Sequence, residues 1–205
     1  MGVKVKICGI TNLDDASAAI DFGADALGFV FFPESPRHIS DHNVEAIIRK
    51  LPPFITTVGV FVDEKPEQIE KTIALSGIDV VQLHGEESPE MYLHSRPVIK
   101  AIRVKSLDSL DPLINFKDYV SAFLLDTYTP DVFGGTGRIF NWEIAVEAKH
   151  FGRIILAGGL TPDNIPEAVK RVQPYGVDVS SGVEAEKGKK DLNKLKLFIE
   201  RAKAA

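Results

Sequence analysis

The side chains best suited to proton transfer in this sequence stand at the ends of short apolar runs. Cys8 closes Val-Lys-Ile-Cys and Asp126 closes Phe-Leu-Leu-Asp. A carboxylate directly after three apolar residues is costly to bury unless it is paired or used. A single cysteine serves as inert packing as readily as it serves as a reactive thiol. Taken together, though, a thiol and a carboxyl are the base and acid that proton-transfer chemistry needs. Gln82 and His84 end a third run, Val-Val-Gln-Leu-His. His84 there suits a general base, a substrate contact or a plain polar strand end.

A second set of residues suits anions. Gly158 and Gly159 lie in Leu-Ala-Gly-Gly-Leu, and about twenty residues later Ser180, Ser181 and Gly182 lie in Val-Ser-Ser-Gly-Val. Glycines let the backbone approach a ligand, and N–H groups there can point at a phosphate. Two ordinary turns are the plainer alternative. Gly134-Gly135-Thr136-Gly137 is also glycine-rich, but no strand immediately precedes it, so a loop is expected there. Arg37 sits in Phe-Pro-Glu-Ser-Pro-Arg-His, where its planar guanidinium suits a carboxylate. Asp178 is ambiguous. It shares a Gly-x-Asp signature with Asp25 and Asp79, which read as structural.

Positioning such groups together requires a scaffold, and the pattern of the chain names one. Runs rich in Val, Ile, Leu and Phe occur at 3–7, 26–31, 57–62, 80–83, 98–102, 122–125, 154–157 and 177–180. They lack a clean polar face, as parallel strands covered on both sides do. Helix signals fall between them. Asn12 and Ser40 are N-caps for segments running to Gly23 and Lys50, and Pro66 opens one that ends at Gly77. Ser88-Pro89 and Thr161-Pro162 repeat the cap-then-proline signal, and Ser106 caps a segment that Pro112 cuts short. A further helix starts near Asn141. Ile165, Ala168, Val169 and Val172 form one apolar stripe, and Leu192, Leu195 and Ile199 another. Each Gly-x-Asp signature is expected to mark a helix stop followed by a strand start.

Strand then helix, about eight times in 205 residues, predicts a single (β/α)₈ barrel over residues 1–205. A doubly wound open sheet is the rival, but it needs fewer strands. In a barrel the catalytic groups lie at the C-terminal strand ends, and phosphate is often held by the loops after strands seven and eight. That rule gathers Cys8, His84, Asp126 and both glycine-serine segments at one rim. Counting back by two from Cys8 turns Lys6 inward as well. A buried lysine needs an acid nearby, and Asp126 or Asp178 could supply one.

Composition narrows the function classes. The net charge of −5 argues against nucleic-acid or membrane-surface binding. One cysteine excludes an intrachain disulfide and a cysteine-rich metal site. No apolar stretch approaches the ~20 residues that span a bilayer, and the start shows no signal-peptide core. A cytoplasmic protein is therefore expected, with monomer and homodimer both open.

The motifs resemble the phosphoribosylanthranilate isomerases of tryptophan biosynthesis. The resemblance is carried by Val-Lys-Ile-Cys-Gly-Ile-Thr at 5–11, Gly-Phe-Val-Phe-Phe-Pro-x-Ser-Pro-Arg at 28–37 and Val-Gln-Leu-His-Gly-Glu-Glu at 81–87. Leu-Leu-Asp-Thr at 124–127, Leu-Ala-Gly-Gly-Leu-Thr-Pro-Asp-Asn at 156–164 and Val-Asp-Val-Ser-Ser-Gly-Val-Glu at 177–184 continue it. It implies an Amadori rearrangement that needs no metal or nicotinamide. In that scheme Asp126 is the general acid that opens the ribose ring, and Cys8 is the general base that removes the C2′ proton. Arg37 would hold the anthranilate carboxylate, with His84 and Asp178 as further substrate contacts. Gly158, Gly159, Ser180, Ser181 and Gly182 would hold the phosphate. Another phosphate-binding barrel enzyme, an epimerase or a lyase, is the alternative within enzymes. A catalytically silent phosphosugar-binding barrel is the alternative outside them.

Overall fold

Strands without a polar face must be covered on both sides, and a sheet closed on itself achieves this. The computed structural model describes residues 2–88, 95–127 and 141–205. Eight parallel strands close into a barrel in sequence order. They are β1 (Lys4–Cys8), β2 (Ala26–Val30), β3 (Thr56–Phe61), β4 (Val80–Leu83), β5 (Val98–Val104), β6 (Ala122–Thr127), β7 (Ile154–Leu156) and β8 (Gly176–Val179). Strand β1 pairs with β2 on one side and β8 on the other, which closes the ring.

Around it lie α1 (Leu13–Asp21), α2 (Asp41–Ile48), α3 (Pro66–Ser76), α4 (Leu113–Phe116), α5 (Trp142–Ala148), α6 (Ile165–Val172) and α7 (Leu192–Ala204). Outward strand residues such as Val5, Ile7, Leu27, Phe29 and Phe123 meet Ala16, Val44, Ala145 and Phe198 of the helices in the main core. A smaller apolar layer, with Val58, Ile99, Leu124 and Ile155, fills the barrel interior. This layer separates the C-terminal rim from the N-terminal end of the barrel.

Local signals act largely as their chemistry dictates. The Asn12 and Ser40 side chains accept from the N–H groups of Asp15 and Asn43, capping α1 and α2. Gly77 takes a left-handed φ of 77° to stop α3. Ser106 caps a single 3₁₀ turn at Leu107–Leu110, after which α4 is one turn long.

Three expectations need correction. Thr161-Pro162 does not open α6: it lies in a turn where Asn164 Oδ1 accepts from Thr161 N at 2.8 Å, and the helix begins at Ile165. Leu192 is half exposed at the first turn of α7, and Phe198 and Ala202 complete the buried stripe in its place. The Gly-x-Asp signature also divides. Gly23 and Gly77 have positive φ, and Asp25 and Asp79 each accept from the backbone N–H of the preceding strand, Val5 and Thr57, at 2.9 Å. Gly176 instead lies inside β8, which puts Asp178 within the strand rather than ahead of it. The expected helix after Ser88-Pro89 and the loop around Gly134 lie outside the described residues. Among the described residues no helix is long and apolar enough to cross a membrane.

Candidate active site

Closure of the barrel brings the sequence-predicted residues to one place. Cys8, Arg37, His84, Asp126 and Asp178 all line a cavity at the C-terminal rim, and so do Gly158, Gly159, Ser180, Ser181 and Gly182. Cys8 is the last residue of β1, and Asp126 lies near the end of β6, three strands away around the ring. The two therefore face the cavity from different walls. Both are almost fully buried.

Asp126 is held on several sides. Its Oδ1 accepts from the N–H of Thr127 at 2.8 Å, and a Cβ on Gly158 would stand 2.8 Å from the same oxygen. Its Oδ2 is 3.4 Å from Nε2 of His84, at ion-pair distance without hydrogen-bond alignment. Gln82 Nε2 lies 3.2 Å from Nδ1 of that ring. With the amide nitrogen donating, Nδ1 accepts and Nε2 carries the ring hydrogen on the Asp126 side.

The glycines build the adjoining wall, after β7 and β8. Gly158 and Gly159 both have positive φ, 77° and 67°, so the chain after β7 curls back over the rim. A Cβ on Gly158 would also strike the backbone nitrogen of Thr127, and one on Gly182 would strike the carbonyl of Leu160. The loops after β7 and β8 interlock only because these side chains are missing. Ser180 Oγ, buried at this wall, has no hydrogen-bond partner among the described residues.

Arg37 is placed at the rim but is not idle there. Its Nε and Nη2 donate to the two carboxylate oxygens of Glu184, each at 2.7 Å. This is the bidentate geometry in which Arg pairs are strongest. The Nη1 nitrogen makes no hydrogen bond among the described residues and belongs to a side chain that lines the cavity.

Glu184 starts a small hairpin, β9 (Glu184–Glu186) with β10 (Lys189–Lys190), which the sequence reading did not anticipate. The buried Lys190 of that hairpin donates to the Cys8 carbonyl at 2.6 Å, to Glu184 at 3.2 Å and to the Ser180 carbonyl at 3.3 Å. Burial pushes Lys190 below the usual lysine range. Burial would push Glu184 up, but the Arg37 hydrogen bond and the Lys190 charge leave it below the usual carboxylate range.

Cys8 and Lys6 point the same way, two residues apart on β1. Of the two acids that could serve Lys6, the structure selects Asp178: Lys6 Nζ is 2.8 Å from its Oδ1, and both are buried. Register explains the choice, because Lys6 and Asp178 are direct partners across β1 and β8.

A closed (β/α)₈ barrel with an acid, a thiol and a glycine-built wall opening on one cavity defines an enzyme of the (β/α)₈ class. The particular family follows from comparison with known proteins. Residues 5–201 match the family model described as N-(5'phosphoribosyl)anthranilate (PRA) isomerase. The chain is 56% identical over 202 residues to the N-(5'-phosphoribosyl)anthranilate isomerase of Pelobacter propionicus, covering 98% of this chain and 96% of that one. It is similar to a phosphoribosyl anthranilate isomerase crystallised with reduced 1-(o-carboxyphenylamino)-1-deoxyribulose 5-phosphate. There the TM-score is 0.89 at 42% identity, with 99% of this chain and 100% of that chain covered. It also resembles crystallised monomers of the dimeric enzyme of Thermotoga maritima, with a TM-score of 0.88 at 40% identity and coverage of 99% and 100%. The chain belongs to the N-(5'-phosphoribosyl)anthranilate isomerase family.

Proposed function

We propose that this chain converts N-(5-phosphoribosyl)anthranilate to 1-(2-carboxyphenylamino)-1-deoxyribulose 5-phosphate by general acid–base catalysis. The observation that carries the reading is the placement of Asp126 and Cys8 on separate walls of one cavity. Asp126 gives its proton to the ribose ring oxygen as the C1′–O bond breaks. The lone pair of the anthranilate nitrogen forms the C1′=N bond of a protonated Schiff base. Cys8, as thiolate, takes the C2′ proton. The C–H electrons become a C1′=C2′ bond, and the C=N electrons return to nitrogen. The resulting enolamine tautomerises, moving the enol proton to C1′, and leaves the C2′ ketone.

The remaining groups bind. Nη1 of Arg37 takes the anthranilate carboxylate, while Glu184 holds the other edge of the guanidinium in a fixed plane. The backbone of Gly158, Gly159, Ser180, Ser181 and Gly182 takes the phosphate, with Ser180 Oγ as one more donor. His84 and Asp178 meet the sugar between these ends. A soluble phosphosugar substrate fits a cytoplasmic location.

The test is a fluorescence assay of purified protein against phosphoribosylanthranilate, in which the signal falls as the substrate is consumed. The dephosphorylated substrate should bind far more weakly, because remote phosphate contacts position the reacting carbon. Absence of turnover would overturn the assignment, and equal competition by the dephosphorylated compound would overturn the phosphate wall.

For assembly, the reading is a homodimer. Phe54, 97% exposed, precedes β3 at the N-terminal end of the barrel. Beside it opens a cavity of about 330 Å³ bordered by Val58, Val80, Ile99 and Ile155. A knob and a hole on the same face are what an isologous two-fold contact needs. Sedimentation should show a dimer for the wild type and a shift toward monomer for Phe54→Ser. A monomeric wild type would refute it.

A further inference from the structure

The mechanism above leaves one buried ammonium unexplained. Lys6 lies inside a barrel whose neighbouring interior positions are Val58, Ile99, Leu124 and Ile155. A buried Lys–Asp pair is no better for stability than apolar residues of the same volume. Packing alone therefore gives no reason for the pair to be there, and what surrounds it does.

Cys8 pairs in register with Gly28 of β2. A Cβ on Gly28 would stand 2.8 Å from the Cys8 sulfur and 3.1 Å from Cε of Lys6. The thiol and the end of the lysine thus converge over the same bare backbone, with Asp178 2.8 Å from the ammonium on the other side.

We propose that Lys6 is a positioning residue for Cys8: its ammonium, pinned by Asp178 and given room by Gly28, is the counter-cation that favours the thiolate form of the sulfur against the cost of burial. The inference rests on the base role proposed for Cys8. Among the described residues, the charged groups that act on that sulfur include Lys6 from β1, Asp178 from β8, Lys190 from β10 and Arg37 from the loop after β2. Arg37 and Lys190 both spend their charge on Glu184, and Lys190 reaches the Cys8 carbonyl rather than its thiol. Lys6 is the cation whose side chain converges with the sulfur over Gly28, and its charge acts on the thiol more strongly than that of Lys190.

Burial leaves the Cys8 thiol above its ordinary range, and Lys6 is the strongest influence pulling it back toward that range. Burial also opposes the charge on Lys6, but Asp178 and Cys8 outweigh it and keep the ammonium protonated. When Cys8 takes the C2′ proton the sulfur becomes neutral, and the Lys6–Asp178 pair remains balanced. No second proton has to move.

The experiment titrates the thiol directly. Iodoacetamide labelling of Cys8 is followed against pH, without substrate, for wild type, Lys6→Met and the double variant Lys6→Met with Asp178→Asn. The double variant removes the pair together, so it leaves no unpaired buried charge if the single one fails to fold. The expected result is a thiol titration at least about one unit higher in the variants. Labelling near neutrality would then be roughly tenfold slower or more, with the same limiting rate at high pH. The kcat/KM of Lys6→Met should fall by a similar factor at neutral pH and recover as pH rises. A folded variant whose thiol titrates like wild type would overturn the proposal, and so would a kcat/KM loss in Lys6→Met that does not depend on pH. Because labelling is read without turnover, a wild type that labels as expected but does not isomerise would refute the proposed function instead.

Discussion

Asp126→Asn is expected to lower kcat by about 10²–10⁴-fold, the usual contribution of a positioned acid or base. The substitution keeps shape and removes the transferable proton. The amide oxygen can still accept from Thr127 N, and the close packing of Gly158 against this side chain is undisturbed. Folding and affinity for a product analogue should therefore survive, which separates chemistry from binding. On the proposed mechanism the step lost is protonation of the ring oxygen, so the variant should bind substrate and stall before the ring opens. His84 gives the result its edge. It lies 3.4 Å from Asp126 and is the next group able to pass a proton into that wall. A variant that retained more than about a tenth of wild-type turnover would move the acid role away from Asp126. His84→Asn would then be the variant to measure.

The sequence showed the ends of strands better than the partners across them. Cys8, His84 and Asp126 were legible because a polar group at the end of an apolar run is a local feature, and a barrel turns all such ends to one rim. Lys6 was legible by parity from Cys8, but its partner was narrowed only to Asp126 or Asp178. Lys6 and Asp178 are separated by 172 positions and meet only through the β1–β8 register that closes the ring. Asp178 even carried a misleading local signal. It shares its motif with Asp25 and Asp79, which staple strand starts, yet Gly176 joins the strand and carries Asp178 inward.

Glu184 and Lys190 were the larger omission. Lys190 stands in Lys-Gly-Lys-Lys, where nothing local separates it from the exposed Lys189, and its burial comes wholly from a hairpin folded against Cys8 and Ser180. Leu192 fails for the mirror reason. It obeys the helical period, but it falls in the first turn of α7, before the helix has reached the barrel.

Cys8→Ala is expected to be comparably severe, with a loss of about 10²–10⁴-fold in kcat, because no other cysteine exists in the chain to replace it. Stability should fall by only about 1 kcal/mol, the scale of deleting one buried methylene-sized group. Cys8→Ser is the sharper control. It restores volume over Gly28 and a hydrogen-bonding atom beside Lys6, but its hydroxyl is far too weak an acid to be held as an anion. If packing were the purpose of Cys8, serine should recover activity that alanine loses; if basicity is, both should be dead. The sign of the pH dependence supports the same distinction. Burial pushes the thiol up, so the basic form grows as pH rises through the thiol range, and kcat/KM should climb with it on the alkaline side. A thiol-directed alkylating agent gives a one-site version of the test on the wild type. Activity should disappear in proportion to labelling, and a bound product analogue should protect, because the sulfur lines the cavity that the analogue fills. A fully labelled enzyme that still turned over, or an alanine variant within tenfold of wild type, would remove Cys8 from the chemistry. The C2′ proton would then need another acceptor, and Asp178 is the carboxylate already in place on the same side of the barrel.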